Sequence, residues 1–185
     1  AKLKIAPNPM AVQGKNSTVC HEGAAKLGLD GHFMPRNAPG CIGCGVCQYG
    51  CVSGGKLSAD RALLAPAMAT GDITLFTGWK AVSLDTHQGR ATDLTIDNGT
   101  STQVLRADQY VLSMGPIGSP TFIEKNGLSS SPHLGKHLTV HPTSGLVARY
   151  DRDIYPWRGV TQGYYVDNWQ EGYLIQTFTV TPDQY

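Results

Sequence analysis

An excess of charge of one sign is the first thing this chain lacks. Fifteen Lys and Arg offset fourteen Asp and Glu, the net charge is +1, and no basic or acidic run occurs. The footprint of a nucleic-acid binder or of a protein drawn to anionic membrane is therefore missing. Long apolar runs are missing too. No stretch approaches the roughly 20 residues that cross a bilayer, so no transmembrane segment is expected. The opening Ala1-Lys2-Leu3-Lys4-Ile5-Ala6-Pro7 holds no signal-peptide core. An initiator Met is absent, and the chain runs out at Thr181-Pro182-Asp183-Gln184-Tyr185 just after a β-like stretch. It reads as a piece of something larger. There is no internal repeat and no low-complexity segment. A distant second pair of cysteines, which a structural zinc site usually needs, is also absent.

What is present is a dense cysteine run. Four of the five cysteines, Cys41, Cys44, Cys47 and Cys51, follow the spacing C-x2-C-x2-C-x3-C. That is the ligand run of bacterial-type ferredoxins, with Val52 where a proline usually follows the fourth cysteine. A compact inorganic core needs thiolates from several sides, so the backbone must coil tightly. Gly40, Gly43, Gly45 and Gly50 permit that coiling. Three chemistries stay open on spacing: an iron–sulfur cluster, free or disulfide-bonded thiols, and zinc. Gly50-x4-Gly55-Lys56 imitates a phosphate-binding loop, but Leu57 stands where the magnesium-binding hydroxyl belongs and no apolar strand precedes it. Nucleoside triphosphate binding is rejected.

With 41 % hydrophobic and 16 % charged residues, the 185-residue chain can bury one core or slightly more. Residues 1–15 read as an extended lead-in. Asn16 or Ser17 can cap a helix from Thr18 to Leu27, in which Cys20 reads as a small buried residue. Residues 30–57 form a long irregular loop, and such length itself suggests function. Ser58 is expected to cap a helix to about Ala69, bent near Pro66. The period then changes to that of strands. Ile73–Thr77 is a short apolar strand, and Trp79–Thr86 and Ala91–Ile96 form a hairpin around Gln88-Gly89. Asn98-Gly99 turns into a strand at Thr102–Leu105, and Gln109–Met114 reads as a buried strand. Gly115 to Lys125 is a helix stopped by Asn126-Gly127, and a glycine at such a strand-to-helix junction can pack simply or admit a dinucleotide. Ser144–Tyr150, Gly159–Val166 and Gly172–Thr181 read as strands of a largely antiparallel sheet that begins a second domain near Pro142. His137 and His141 stand four apart, yet Pro142 argues against a helix that would put them on one face. Trp157, Gln162, Tyr164, Tyr165 and Trp169 could wall a cavity or pack a sheet.

At Gly115-Pro116-Ile117-Gly118-Ser119-Pro120-Thr121-Phe122-Ile123-Glu124-Lys125-Asn126-Gly127-Leu128-Ser129 the chain resembles the second signature of the glucose–methanol–choline (GMC) flavoprotein oxidoreductases. It departs at Phe122, Asn126 and Ser129. Gly135-Lys136-His137-Leu138-Thr139-Val140-His141-Pro142 is similar to the family's G-x-N-L-x-D-H-P segment, with His for Asn and Val for Asp. The likeness covers most of residues 30–165. Around the cysteines it is closest to long-chain alcohol oxidases and to the flavin subunits of sugar and gluconate dehydrogenases, whose cysteines there hold an iron–sulfur cluster.

The resemblance implies an α/β (α+β) fold: part of a Rossmann-like FAD-binding domain with a β-hairpin insertion, then the start of an antiparallel-sheet substrate domain. Residues 1–57 would be the lead-in and cluster loop, 58–142 part of the FAD-binding domain, and 143–185 the start of the substrate domain. It implies hydride abstraction from an alcohol or sugar CH–OH onto FAD. The backbone at Ala81 or Val82 would meet adenine, and Gly115 would let the phosphate–ribose region pass. Cys41, Cys44, Cys47 and Cys51 would hold a 4Fe-4S or 3Fe-4S cluster that relays electrons to a cytochrome-like acceptor. The family's G-x-G-x-x-G fingerprint and catalytic His do not occur in these residues, so no catalytic residue is assigned here. Another chain or further sequence would supply them. The other function class is an iron–sulfur electron-transfer or structural module without catalysis of its own.

Overall fold

The computed structural model describes residues 2–179. The chain divides into two compact units, residues 1–74 with 147–185, and residues 75–146. The lead-in, the cysteine loop and residues 147–185 share the first unit.

In the first unit, β1 (Ala6–Pro7) pairs antiparallel with β3 (Pro35–Arg36), and α1 (Lys15–Lys26) lies between them in sequence. β2 (Gly31–Phe33) pairs with β7 (Tyr164–Asn168), which pairs with β8 (Tyr173–Gln176), all antiparallel. α1 starts earlier than its side chains suggest. Gly14 is its N-cap, and no side chain caps it. Asn16 Oδ1 accepts the Ser17 N–H at 2.9 Å, while Ser17 is fully buried with its hydroxyl 3.3 Å from that of Thr177. The helix instead presents Ala24 to the sheet, where Tyr164 and Val166 are buried with it and Leu29 and Phe33 pack around them. Burying each of the larger side chains contributes about 1.5–3 kcal/mol. Cys20 is exposed, although it stands three residues after Ser17 and four before Ala24 on the same side of α1.

Ser58 does not cap its helix through the side chain. Its hydroxyl donates to Asp60 Oδ1, while its carbonyl accepts the Arg61 and Ala62 N–H groups. The first turn, Asp60–Leu64, is π-wound and runs into α2 (Ala65–Met68), whose second residue is Pro66. Proline brings no N–H to the ladder, and the wider turn accommodates that loss.

The second unit holds β4 (Lys80–His87), β5 (Arg90–Asp97) and β6 (Thr102–Arg106), a three-stranded antiparallel meander, and α3 (Gly115–Lys125). Thr86 faces Ala91 and His87 faces Arg90, so Gln88-Gly89 is the two-residue loop expected. Leu84 and Ile96 are the buried members of the β4–β5 pair, and Phe122 is buried on α3. The Leu84 N–H donates to Asn126 Oδ1 at 3.2 Å, joining β4 to the residue that ends α3.

Three expected strands are not formed. Ile73–Thr77 and Ser144–Tyr150 are irregular and exposed. Gln109–Met114 is irregular as well, and Val111 is 84 % exposed. A buried parallel strand needs partners on both edges, and among the described residues none runs beside this segment. Tyr110 is fastened by its hydroxyl, which donates to the Thr92 carbonyl at 2.6 Å, and the Met114 N–H donates to the Ser119 hydroxyl at 3.1 Å. Gly159–Val166 is strand only from Tyr164, and Gly172–Thr181 only over β8; residues 180 and 181 lie outside the described residues. The fold is mixed α/β with antiparallel sheets.

Candidate cofactor site

The cysteine run is a loop drawn closed at its neck. The Leu57 N–H donates to the Asn37 carbonyl at 2.7 Å, and the Asn37 side-chain amide donates back to the Leu57 carbonyl at 2.6 Å. One step inward, Gly40 and Gly55 pass so closely that a Cβ on Gly55 would overlap the Gly40 carbonyl. The loop is also fastened from outside. The Asn8 side-chain amide donates to the Ala38 carbonyl at 2.8 Å, and the Gly159 N–H to the Gly43 carbonyl at 2.9 Å. Gly45 is buried against the Trp157 carbonyl with φ +79°, a place only glycine fits without strain.

All four run cysteines line one concavity, which they share with Gly159 and Val160. Its cavity volume is about 30 Å³, and it opens to solvent. Two of the sulfurs accept backbone N–H groups. Cys41 Sγ lies 3.4 Å from the Gly43 nitrogen, and Cys51 Sγ lies 3.3 Å from that of Lys56 and 3.6 Å from the Ser53 hydroxyl. The Lys56 amide and then the Ser53 hydroxyl hold the Cys51 thiol below the usual cysteine range, as donors to a thiolate do. None of the four is in a disulfide. Among the described residues, no three Cys, His, Asp or Glu side chains converge as ligands of one metal ion. A single zinc would draw its thiolates to about 2.3 Å from a common centre. The four thiols share the lining of one concavity, and thiols are the donor type that an iron–sulfur cluster takes.

The three residues proposed for FAD lie in the second unit. Ala81 is half-buried on β4 opposite Ile96, and Val82 is 48 % exposed. Gly115 opens α3 with φ +74°, and nothing stands within 4 Å of where its Cβ would be. The backbone there is open to close approach. β4 meets the Asn126 end of α3, however, so Gly115 stands about 15 Å away along the helix axis.

Other sequence candidates are dispersed. Tyr164 is core, its hydroxyl 3.3 Å from His21 Nδ1, and Tyr165 tilts against His32. Trp169 is 78 % exposed with its indole N–H on Asp167, and Trp157 stacks edgewise on Tyr155. Strand alternation sends Tyr164 and Tyr165 to opposite faces. His137 pairs with His133 rather than with His141. The neck at Asn37 and Leu57 escaped sequence reading altogether; an Asn twenty residues from its partner leaves no local signal.

The GMC oxidoreductase family model matches residues 1–143, and the chain belongs to that family. GMC oxidoreductases use FAD. An uncharacterized GMC-type oxidoreductase of Mycobacterium tuberculosis is 35 % identical over 185 residues, covering 97 % of this chain and 29 % of the relative. A long-chain-alcohol oxidase of Arabidopsis thaliana is 30 % identical over 135 residues, 70 % of this chain and 18 % of the relative. An oxygen-dependent choline dehydrogenase of Staphylococcus saprophyticus is 29 % identical over 90 residues, 49 % of this chain and 16 % of the relative. The chain thus spans less than a third of the length of these relatives. No solved structure matches it.

Proposed function

We propose that this chain is a segment of an FAD-dependent oxidoreductase acting on an alcohol or sugar CH–OH, in which Cys41, Cys44, Cys47 and Cys51 hold an iron–sulfur cluster serving a one-electron, cytochrome-like acceptor. Family membership supports the flavin chemistry, and the names of the alcohol oxidase and choline dehydrogenase relatives support the CH–OH donor. The observation that carries the cluster is the shared hollow: four thiols around one concavity, with amide donors on Cys41 and Cys51 and the loop neck tied shut. When bound, FAD accepts a hydride and a cluster passes single electrons. The chain's own part is to hold the thiols. The Gly43 and Lys56 amides stabilise the charged sulfurs, and the Asn37–Leu57 neck keeps the four on one side. The catalytic base and the dinucleotide fingerprint would come from sequence beyond these residues or from another chain.

Iron and acid-labile sulfide assays on anaerobically purified protein test the cluster. Iron and sulfide in near-equal amounts are expected; stoichiometric zinc without sulfide would reject it. The relay has its own check. Cys47→Ser should leave substrate-driven flavin reduction nearly unchanged in the full assembly while slowing reoxidation by the acceptor at least tenfold, roughly the effect of disturbing a metal's surroundings. Stopped-flow separates the two half-reactions, and reoxidation at the parent's rate would make the cluster structural.

A further inference from the structure

Residues 131–139 carry a second cluster of donors, in the other unit and unrelated to the cysteines. The segment turns twice: the Leu134 N–H donates to the Ser131 carbonyl at 3.2 Å, and the Lys136 N–H to the His133 carbonyl at 3.1 Å. It is seated on α3, where Pro116 and Pro120 stand one turn apart and line a concavity with residues 133–139. His137 adopts φ +64°, a left-handed backbone that a non-glycine residue takes only under constraint. The outcome is that two imidazoles meet, His133 Nδ1 and His137 Nε2 lying 3.2 Å apart with ring centroids 5.4 Å apart.

That separation suits chelation. Two nitrogens on a tetrahedral zinc, with arms of about 2.0–2.1 Å, stand about 3.3–3.4 Å apart. On a square-planar copper or nickel the same arms give about 2.9 Å. The observed distance lies between the two. The geometry points to a two-histidine site for a divalent late transition metal, Zn²⁺ or Cu²⁺, chelated by His133 Nδ1 and His137 Nε2. Both residues are exposed, so water can occupy the remaining positions, and among the described residues no third Cys, His, Asp or Glu joins them. Without metal the two rings share a hydrogen bond, one of these nitrogens donating to the other, and metal binding moves that proton to the donor ring's other nitrogen. His141, four residues further on, is no part of the pair.

Because thiols also take these metals, the test must be specific to the imidazoles. Long-range ¹H–¹⁵N spectra of the full chain, titrated with Zn²⁺, report each ring nitrogen separately. His133 Nδ1 and His137 Nε2 should shift together and saturate at one equivalent, and the shift should persist when the four run cysteines are first blocked by alkylation. Removing a ligand should cost no less than removing an outer-shell partner, so H133A and H137A should each weaken this event by about tenfold or more. H141A should leave it unchanged. Circular dichroism of each variant checks folding, and both histidines are exposed enough for alanine to be tolerated. Metal uptake confined to the thiols, with both imidazoles unmoved, would overturn the site; so would equal loss in H141A. Neither result bears on the iron–sulfur assays.

Discussion

Gly45 is where the cysteine loop tolerates least. Its φ of +79° disfavours any side chain, and a Cβ there would run into the Trp157 carbonyl, which belongs to backbone and has little room to move. Gly45→Ala should therefore destabilise the first unit by roughly 2–5 kcal/mol, combining left-handed strain with overpacking. Urea unfolding followed by Tyr and Trp fluorescence measures it, and a loss under 1 kcal/mol would show that the loop can yield. Asp93 offers a second measurable effect. Arg106 lies 2.6 Å away across the β5–β6 pair and holds the Asp93 carboxyl below its ordinary range, helped by the Thr92 side chain. A depressed carboxylate contributes stability that is present above its unfolded value and is lost as pH falls through the folded one. The pair is exposed at Arg106, so the contribution is small. Arg106→Gln should raise the Asp93 midpoint toward the ordinary aspartate value in an NMR titration, and an unmoved midpoint would mean that Arg106 is not the cause.

Among elements, the β4–β5 hairpin was the most legible from sequence. Its residues alternate, and Gln88-Gly89 supplies the turn. The structure adds the turn's type, since Gln88 at φ +49° and Gly89 at φ +76° both lie in the left-handed region, as a type I′ loop requires. Asn takes that conformation more readily than Gln. Gln88→Asn should thus stabilise the protein by about 0.5–1 kcal/mol, read as a higher urea midpoint; a lower midpoint would contradict the turn assignment. The helix at Gly115 was legible for a similar reason, with Pro116 in its first turn and Asn126-Gly127 after its end. The expected strands at 73–77, 109–114 and 144–150 were not reliable, because an apolar run signals burial without naming the partner that provides it. β2 and β3 were hidden in the opposite way. Gly31–Phe33 is too short to carry a period, and it is a strand only because Tyr164–Val166 lies beside it. At the cysteine site the four thiols were readable as a group from spacing, whereas the neck that closes their loop depends on contacts across twenty residues.

For the whole molecule, the division into two units sets where the chain should be vulnerable. Residues 139–150 are exposed and carry no secondary structure, with Leu146 at 93 % and Val147 at 79 % exposure, next to the boundary at 146 and 147. Limited chymotrypsin digestion should cut here before it reaches α1, β7 or β8, because cleavage follows backbone that is not tied into structure. Mass spectrometry of the first fragments checks this, and first cuts within residues 15–33 would argue against the core at Ala24 and Tyr164.

The first unit is assembled from two stretches that are far apart in the order of synthesis. A ribosome adding about 5–20 residues per second has made Cys41 to Cys51 several seconds before it reaches Trp157, Gly159 and Val160. During that interval Gly45 has no carbonyl to pack against, Gly43 has no amide from Gly159, and Ala24 has no Tyr164 to cover it. The nascent thiols are thus exposed to oxidants and to stray metal before the wall of their hollow exists. On the cluster proposed above, delivery of iron and sulfide would belong after translation has passed residue 160, and a ribosome stalled upstream of that point should display four alkylatable cysteines.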